Sequence, residues 1–271
     1  MKIGNRDFDT ANKTYVMGIL NVTPDSFSDG GKYNEVELAL KKAEEMMHEG
    51  ADLIDVGGES TRPGYVPVSV QEEIERVAPV IEAIKKNLDI PVSLDTYKVE
   101  VAKAGIAVGA DLINDIKGLQ ESPEMARLIA ESKAACCIMH NRDFMNYNQF
   151  FTDMQNDLSA YIETARKAGI ADDKIIIDPG VGFAKTHEQN LEVINKLEQF
   201  HCFGYPILLG TSRKSVIGLT LDLPVFERVE GTLVTTVMAV MKGCSFVRVH
   251  DVKENVRAVK MAEAILKKGA L

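Results

Sequence analysis

Several residue types and sequence features are scarce in this chain. Its 271 residues include no tryptophan, four cysteines and five histidines. None of the cysteines forms a Cys-x-x-Cys pair, so their spacing does not support a zinc site or a redox motif. They are Cys136, Cys137, Cys202 and Cys244. We expect reduced, mostly buried thiols, as is typical of a cytoplasmic protein.

Long apolar runs are also missing. The first residues, Met1 to Asp7, contain no apolar core, so we expect no secretory signal. No run is long enough to span a membrane. The 40 acidic residues outnumber the 31 basic ones and give a net charge of −9, which argues against a nonspecific nucleic-acid binder. An anionic small substrate stays possible, because local cations can dominate their own pocket.

What the sequence does contain is a regular alternation of short apolar runs and helical patterns. Eight runs are predicted as strands: 15–20, 53–55, 91–94, 112–113, 135–139, 175–177, 206–209 and 245–249. Each precedes a segment with helical spacing of apolar residues: 35–49, 70–87, 98–108, 124–132, 150–168, 188–200, 225–242 and 252–268. Eight such pairs without a linker predict an α/β fold, a single TIM (β/α)₈ barrel domain over residues 1–271.

Polar residues stand where nearly every predicted strand ends. They are Asn21, Asp55, Asp95, Asn114, His140, Asp178, Ser212 and His250. Each alone can be read as a turn former or a helix cap. In a parallel barrel the carboxyl ends of the strands meet at one mouth, where active sites of this fold lie. The whole set therefore predicts a polar site at the mouth.

Three of these residues suit a planar heterocycle. Asp95, Asn114 and Asp178 offer two carboxylates and an amide, which can accept several N–H donors from one ring edge. Two alternatives stay open: Asp178 precedes Pro179-Gly180 and could be a turn residue, and Phe183 could line the rim or pack in the core.

A second group is cationic. Arg62, Lys214, Arg248 and His250 are predicted to bind phosphate, because loops after the seventh and eighth strands often do so in this fold. Arg248 and His250 are two residues apart on a strand and so face the same side. Asn21 is a candidate neutral ligand for Mg²⁺, with Asp29 in the following loop, since Mg²⁺ combines few protein oxygens with phosphate oxygens.

Five motifs together resemble the dihydropteroate synthase family along essentially the whole chain. They lie at 18–31 (GILNVTPDSFSDGG), 55–64 (DVGGESTRPG), 178–183 (DPGVGF), 211–215 (TSRKS) and 248–251 (RVHD). The resemblance implies the condensation of 6-hydroxymethyl-7,8-dihydropterin diphosphate with 4-aminobenzoate to 7,8-dihydropteroate and diphosphate. It further implies a transferase of folate biosynthesis that uses Mg²⁺, is inhibited by sulfonamides and forms a homodimer.

The resemblance also implies residue roles, which we carry over as expectations. Pterin contacts fall on Asp95, Asn114, Asp178 and Lys214. Diphosphate contacts fall on Asn21, Thr61, Arg62, Arg248 and His250, with the metal on Asn21 and Asp29. The 4-aminobenzoate pocket falls on Thr61, Pro63, Phe183, Ser212 and Lys214. The residues expected to act on the reacting atoms are Arg248, His250, Lys214 and Asp95.

Alternatives remain at this point. A methyltetrahydrofolate-binding methyltransferase shares the pterin floor, but the loop 61–64 and the pair Arg248 and His250 count against it. A non-catalytic pterin-binding paralogue would keep the floor without turnover. A phosphate-binding barrel isomerase would explain the cations but not the floor. The helix predicted at 229–242 is apolar nearly all round and is either a covered barrel helix or a subunit interface.

Overall fold

The structure is a computed structural model that describes residues 1–23, 32–59 and 67–269. Eight parallel strands form the barrel and follow a short antiparallel hairpin, β1 and β2, at Lys2–Ile3 and Arg6–Asp7. The barrel strands are β3 (Tyr15–Asn21), β4 (Leu53–Gly57), β5 (Val92–Asp95), β6 (Leu112–Asp115), β7 (Ala135–Met139), β8 (Ile175–Asp178), β9 (Leu208–Leu209) and β10 (Phe246–Val249).

Helices follow the strands and cover the barrel. Within the described residues they are α1 (Lys32–Glu49), α2 (Val70–Asn87), α3 (Val99–Ala107), α4 (Pro123–Ser132), α5 (Phe150–Ala168), α6 (His187–Asn195), α7 (Ser215–Leu221), α8 (Val229–Met241) and α9 (Val252–Gly269). The strand order is β8-β7-β6-β5-β4-β3-β10-β9. A bridge between Ile177 and Ile207 joins the two ends, so the predicted single barrel is confirmed.

The barrel has two apolar cores because successive side chains of a strand point to opposite faces. The outer core lies between strands and helices, and Val247 and Val249 of β10 belong to it. The inner core consists of Ile3, Phe8, Met17, Leu53, Leu112, Ala135, Cys137, Ile176, Leu208 and Phe246. Ile3 and Phe8 come from the N-terminal segment, and the Phe8 ring lies 5.7 Å from that of Phe246. The N-terminal segment therefore plugs the amino end of the barrel.

The structure differs from the sequence prediction at a few elements. The hairpin β1–β2 and helix α7 were not predicted. The segments predicted as helices from 188 and from 225 are each split, since 3-10 turns occupy Leu197–Phe203 and Val225–Glu227. Strand β4 runs two residues beyond Asp55 to Gly57, which places Asp55 inside the barrel rather than at a loop.

The cysteines match the expectation for unpaired thiols. Cys136, Cys137 and Cys244 are buried, Cys202 is exposed, and all four are free.

Within the parts of the chain that the structure describes, no helix is long and apolar enough to cross a membrane.

Candidate active site

A polar layer lies directly above the inner core, toward the carboxyl ends of the strands. Asp55 is two residues beyond Leu53, and Arg248 is two residues beyond Phe246, so both face the interior. The same step relates Leu112 to Asn114 and Ile176 to Asp178. On these four strands, β4, β6, β8 and β10, the inward-facing residue thus changes from apolar to polar at one level of the barrel.

Arg248 is the centre of this layer. Its Nε donates to Asp55 Oδ2 at 2.5 Å and its Nη2 donates to Asp95 Oδ2 at 2.6 Å. Asp55 is fully buried, and its other oxygen accepts a hydrogen bond from Ser93 Oγ at 2.5 Å. Asn114 Nδ2 lies 3.4 Å from Asp55 Oδ2. Four strands, β4, β5, β6 and β10, therefore contribute to one buried network around a single guanidinium.

Two carboxylates share this one cation. Burial raises the pKa of Asp95 to about 7, against the opposing effect of Arg248. Burial also opposes the charge on Arg248, but Asp55 and Asp95 outweigh it, so the pKa of Arg248 is raised. Among the described residues, Asp95 Oδ1 is buried without a hydrogen-bond partner.

Lys214 closes the other side of the layer. Its Nζ donates to Val181 O at 2.6 Å and lies 4.7 Å from the centre of the Phe183 ring. Burial lowers the pKa of Lys214 to about 8, with Asp178 opposing. Burial raises the pKa of Asp178, with Lys214 opposing. Gly182, at φ +87°, allows the close contact, since a Cβ there would stand 3.1 Å from Lys214 Cδ.

The rim of the site is organised by the segment after β9 and the end of β10. Ser212 Oγ accepts from the backbone N–H of His250 at 3.1 Å and lies 3.0 Å from His250 Nδ1. A hydroxyl that donates to Nδ1 places the proton of the neutral ring on Nε2. Arg213 pairs with Asp251 through Nε at 3.1 Å and through Nη2. Ser212 and His250 therefore form one fixed unit.

Asn21, Asp95 and Asn114 lie in one row across the carboxyl ends of β3 to β6. The strand register pairs Asn21 with Gly57, Gly57 with Asp95, and Asp95 with Asn114. Gly57 has no side chain, and a Cβ there would lie 3.7 Å from Asn21 Oδ1 and 3.6 Å from Asp95 Cβ. The row thus brings an amide oxygen, a carboxylate and a second amide to one edge.

His140 also ends a strand, but it does not join this layer. It is fully buried, and its ring contacts Asp157 of α5 at 3.0 Å through Nε2 and Lys185 at 3.0 Å through Nδ1. Burial lowers the pKa of His140 to about 4. The prediction that His140 is part of the mouth is wrong, because the side chain faces the helix layer.

Four predicted site residues, Asp29, Thr61, Arg62 and Pro63, lie outside the described residues. On either side of the 60–66 segment, the described chain ends at Glu59 and resumes at residue 67.

Lys98 contacts the chain on both sides of that segment. Its Nζ donates to Glu59 and to Glu73, each at 2.7 Å, and to Val68 O at 2.8 Å. The Val68 N–H donates to the same Glu59 carboxylate at 2.8 Å. Burial opposes the charge on Lys98, but Glu59 and Glu73 outweigh it, so the pKa of Lys98 is raised.

The structure thus brings Asp95, Asn114, Asp178, Lys214 and Arg248 together, with Asn21, Phe183, Ser212 and His250 around them. Sequence reasoning included Asp55 in the set of polar residues at the mouth but assigned it no specific role, and it missed Ser93 as a member of the layer. The structure shows that Asp55 binds Arg248 and Ser93. Ser93 and Lys185 carried no signal in the sequence.

A barrel whose mouth combines a carboxylate-amide floor with a cationic rim defines an enzyme site for a polar ring and an anion. The sequence profile of a family described as pterin binding enzyme matches residues 17–250. A relative from Clostridium beijerinckii, a dihydropteroate synthase, is 58% identical over 99% of this chain and 100% of its own length. The dihydropteroate synthase of Bacillus subtilis is 54% identical over 96% of this chain and 91% of its own.

Solved structures agree with these relatives. The dihydropteroate synthase of Clostridium difficile, in the presence of pteroic acid, superposes with a TM-score of 0.93 at 49% identity, over 96% of this chain and 99% of that one. The Yersinia pestis enzyme with a sulfonamide drug gives 0.92 at 42% identity, over 98% and 99%. The chain therefore belongs to the dihydropteroate synthase family of pterin-binding transferases.

The buried, uncharged His140 predicts a loss of stability in mild acid. Its folded-state pKa of about 4 lies below the ordinary value of 6.5, so the unfolded chain binds more protons between these values. The contribution of His140 to the free energy of unfolding falls by roughly 3 kcal/mol as pH drops from 6.5 to 4. Urea unfolding of the wild type and His140→Gln across this range measures it, and the difference between the two should shrink as pH falls.

His48→Gln, which removes an exposed histidine, is the matched control for the substitution itself. A wild type and a His140→Gln variant with parallel curves would contradict the assignment.

Proposed function

We propose that this chain condenses 6-hydroxymethyl-7,8-dihydropterin diphosphate with 4-aminobenzoate, giving 7,8-dihydropteroate and diphosphate. The observation that carries the proposal is the buried Asp95 Oδ1, which has no hydrogen-bond partner within the described part of the chain, in a layer that also holds Asn114 and Asp178. A buried acceptor without a donor is costly unless a ligand supplies one. A pterin ring edge offers several N–H donors and would satisfy these oxygens together.

The cationic groups suit the leaving diphosphate. Arg248 uses two of its five N–H donors on Asp55 and Asp95, which leaves others for an anion. Ser212 and His250 stand on the neighbouring rim. We assign Arg62 and Thr61 to the diphosphate as well, from the sequence motif that contains them. Because charge grows on the diphosphate as its bond to the pterin methylene breaks, donors fixed in advance stabilise the transition state more than the substrate.

The attacking amine needs little help from the protein. An aromatic amine is neutral at pH 7, so no strong base is required, and the dihydropterin ring can donate electron density to its methylene as diphosphate departs. Ionised Asp95 and Asp178 beneath the ring would stabilise the positive charge that develops there. Phe183 and Lys214, 4.7 Å apart, would form one side of the 4-aminobenzoate pocket. We infer that no side chain acts as a covalent nucleophile.

Asn21 fits a role in Mg²⁺ binding. Mg²⁺ takes one or two protein oxygens and completes its shell with phosphate and water, and the Asn21 carboxamide stands at the mouth in the row with Asp95. Among the described residues no group of three His, Cys, Asp or Glu forms a metal cage, which agrees with a metal held mainly by substrate. When bound, Mg²⁺ would neutralise charge on the departing diphosphate. We place the second ligand on Asp29.

Product formation from the two substrates and Mg²⁺ tests the proposal directly. We expect turnover that EDTA abolishes and a sulfonamide reduces. Tight pterin binding without product would favour a non-catalytic paralogue. A methyltransferase would instead consume a methyl donor; the relatives, all dihydropteroate synthases by name, do not favour it.

Arg248 provides a sharper test of the mechanism. We expect Arg248→Ala to lower kcat by about 10²- to 10³-fold, as for the loss of a donor to a developing anion, while the KM for 4-aminobenzoate changes little. Since the substitution leaves Asp55 and Asp95 without their counter-ion, thermal unfolding and Arg248→Lys are measured beside it. Full activity of a folded Arg248→Ala enzyme at saturating substrates would exclude this role.

We further propose a cytoplasmic homodimer that forms through α7, α8 and the 3-10 turn Val225–Glu227 between them. Large apolar side chains are exposed there: Leu219, Leu221, Phe226, Val234 and Met241. Phe226 is 84% exposed, which is unusual for a phenylalanine and is typical of an interaction surface. A second copy of the same chain is the simplest partner for a self-complementary apolar face.

Sedimentation measures the oligomeric state. We expect a dimer for the wild type and a folded monomer for Val234→Asp, because a buried charge would oppose association. Leu38→Asp, which alters an exposed leucine on α1, should remain dimeric. A monomeric wild type at micromolar concentration would refute the dimer.

A further inference from the structure

The segment 180–184, between β8 and α6, carries Phe183 and the carbonyl that binds Lys214. Three of its five residues adopt positive φ: Gly180 at +69°, Gly182 at +87° and Ala184 at +45°. The left-handed conformation is unfavourable for alanine. Such a segment keeps its shape only if the surrounding structure holds it.

Lys185 supports the segment 180–184 on the side that faces away from the site. It is 7% exposed, and its Nζ donates to Gly180 O at 3.0 Å and to Phe183 O at 3.1 Å, with His140 Nδ1 as third partner at 3.0 Å. An ammonium has three N–H donors, so all three are used. Among the described residues, none of these three donors binds a carboxylate. Burial lowers the pKa of Lys185 to about 7.

His140 orients the Lys185 ammonium group. The Lys185 ammonium donates to Nδ1, so the neutral ring carries its proton on Nε2 and donates it to Asp157 at 3.0 Å. Arg142 binds the same Asp157 through Nε at 2.5 Å. Gly180 lies directly against the backbone carbonyl of His140, so that a Cβ added at Gly180 would stand 1.9 Å from His140 O.

Other contacts complete the support of the segment. Asn190 Oδ1 accepts from the Gly182 N–H at 2.6 Å, and Tyr147 OH donates to Ala184 O at 3.0 Å. On the opposite face, Val181 O accepts from Lys214. The segment is therefore held on one side by Lys185, Asn190 and Tyr147, and it presents Val181 O and Phe183 to the site on the other.

We propose that Lys185, oriented by His140 and Asp157, is a positioning residue that fixes Phe183 and Lys214 for the second substrate. This inference rests on the proposed function, since it takes the Phe183 side of the mouth as the 4-aminobenzoate pocket. Lys185 touches neither substrate and acts only through the segment 180–184.

Steady-state kinetics of Lys185→Met test the role in the reaction. The KM for 4-aminobenzoate should rise about 10- to 100-fold, as for a displaced binding group, whereas the KM for the pterin diphosphate should change less than about threefold. Lys185→Gln keeps an amide donor and should recover part of the loss. Lys196→Met, on a half-exposed lysine of the same region, should behave as the wild type.

A second measurement needs no turnover. The chain has no tryptophan, so Phe183→Trp creates a single fluorescent reporter on the segment. In that background Lys185→Met should increase acrylamide quenching about twofold, while Lys196→Met should not. Circular dichroism and the melting temperature establish that each variant is folded.

The two measurements separate the two claims. An active wild type whose quenching and KM for 4-aminobenzoate are both unaffected by Lys185→Met and Lys185→Gln would overturn the positioning role. Increased quenching in an enzyme that makes no product would overturn the proposed function and would still support the hold on the segment.

Discussion

The partly buried guanidinium of Arg248, bound between Asp55 and Asp95, makes the interaction on which the mouth of this barrel depends. It joins strands that are far apart in sequence and places two carboxylates on one cation. Well-packed apolar residues can replace a buried ionic group at little cost or with a gain in stability, whereas removing one partner costs about 3–5 kcal/mol. A gain in folding stability therefore does not explain why this ionic network is present. Its consequence is a carboxylate at Asp95 that is held in place, titrates near neutrality and has one oxygen without a hydrogen-bond partner among the described residues.

The loops around this layer share a mode of support. Two mouth segments are each held by a cation that belongs to the surrounding structure: Lys185 binds the segment 180–184, and Arg228 Nη1 binds Arg213 O at 3.0 Å. A third cation, Lys98, binds both Glu59 and Val68. Arg213 has φ +58°, so this loop too contains a strained residue that needs outside support. Backbone carbonyls and a few carboxylates accept these donors, so the mouth is preorganised before any substrate binds.

Much of this architecture could be predicted from the sequence because strand and helix periods are local signals. These periods predict the eight strand–helix pairs and the face of β10 on which Arg248 lies. They also predict the strand-end positions of Asp95, Asn114 and Asp178. Partners across the barrel cannot be predicted in this way, since contacts such as Arg248 with Asp55 join positions 193 residues apart. The side-chain orientation of His140 could not be predicted from the sequence either, because a residue at a strand end can face the mouth or the helices. The contacts with Asp157 and Lys185 determine that orientation.

Calorimetric titration with 6-hydroxymethyl-7,8-dihydropterin diphosphate tests the central claim most directly, on the wild type and on Asp95→Asn. The variant preserves shape but lacks the charge that would pair with the ring, so its affinity should fall at least about tenfold, as for the loss of one charge-assisted hydrogen bond. Because the pKa of Asp95 is about 7, binding near pH 7 should also release more protons from the wild type than from the variant. Equal affinity and equal proton release for both proteins would contradict the account.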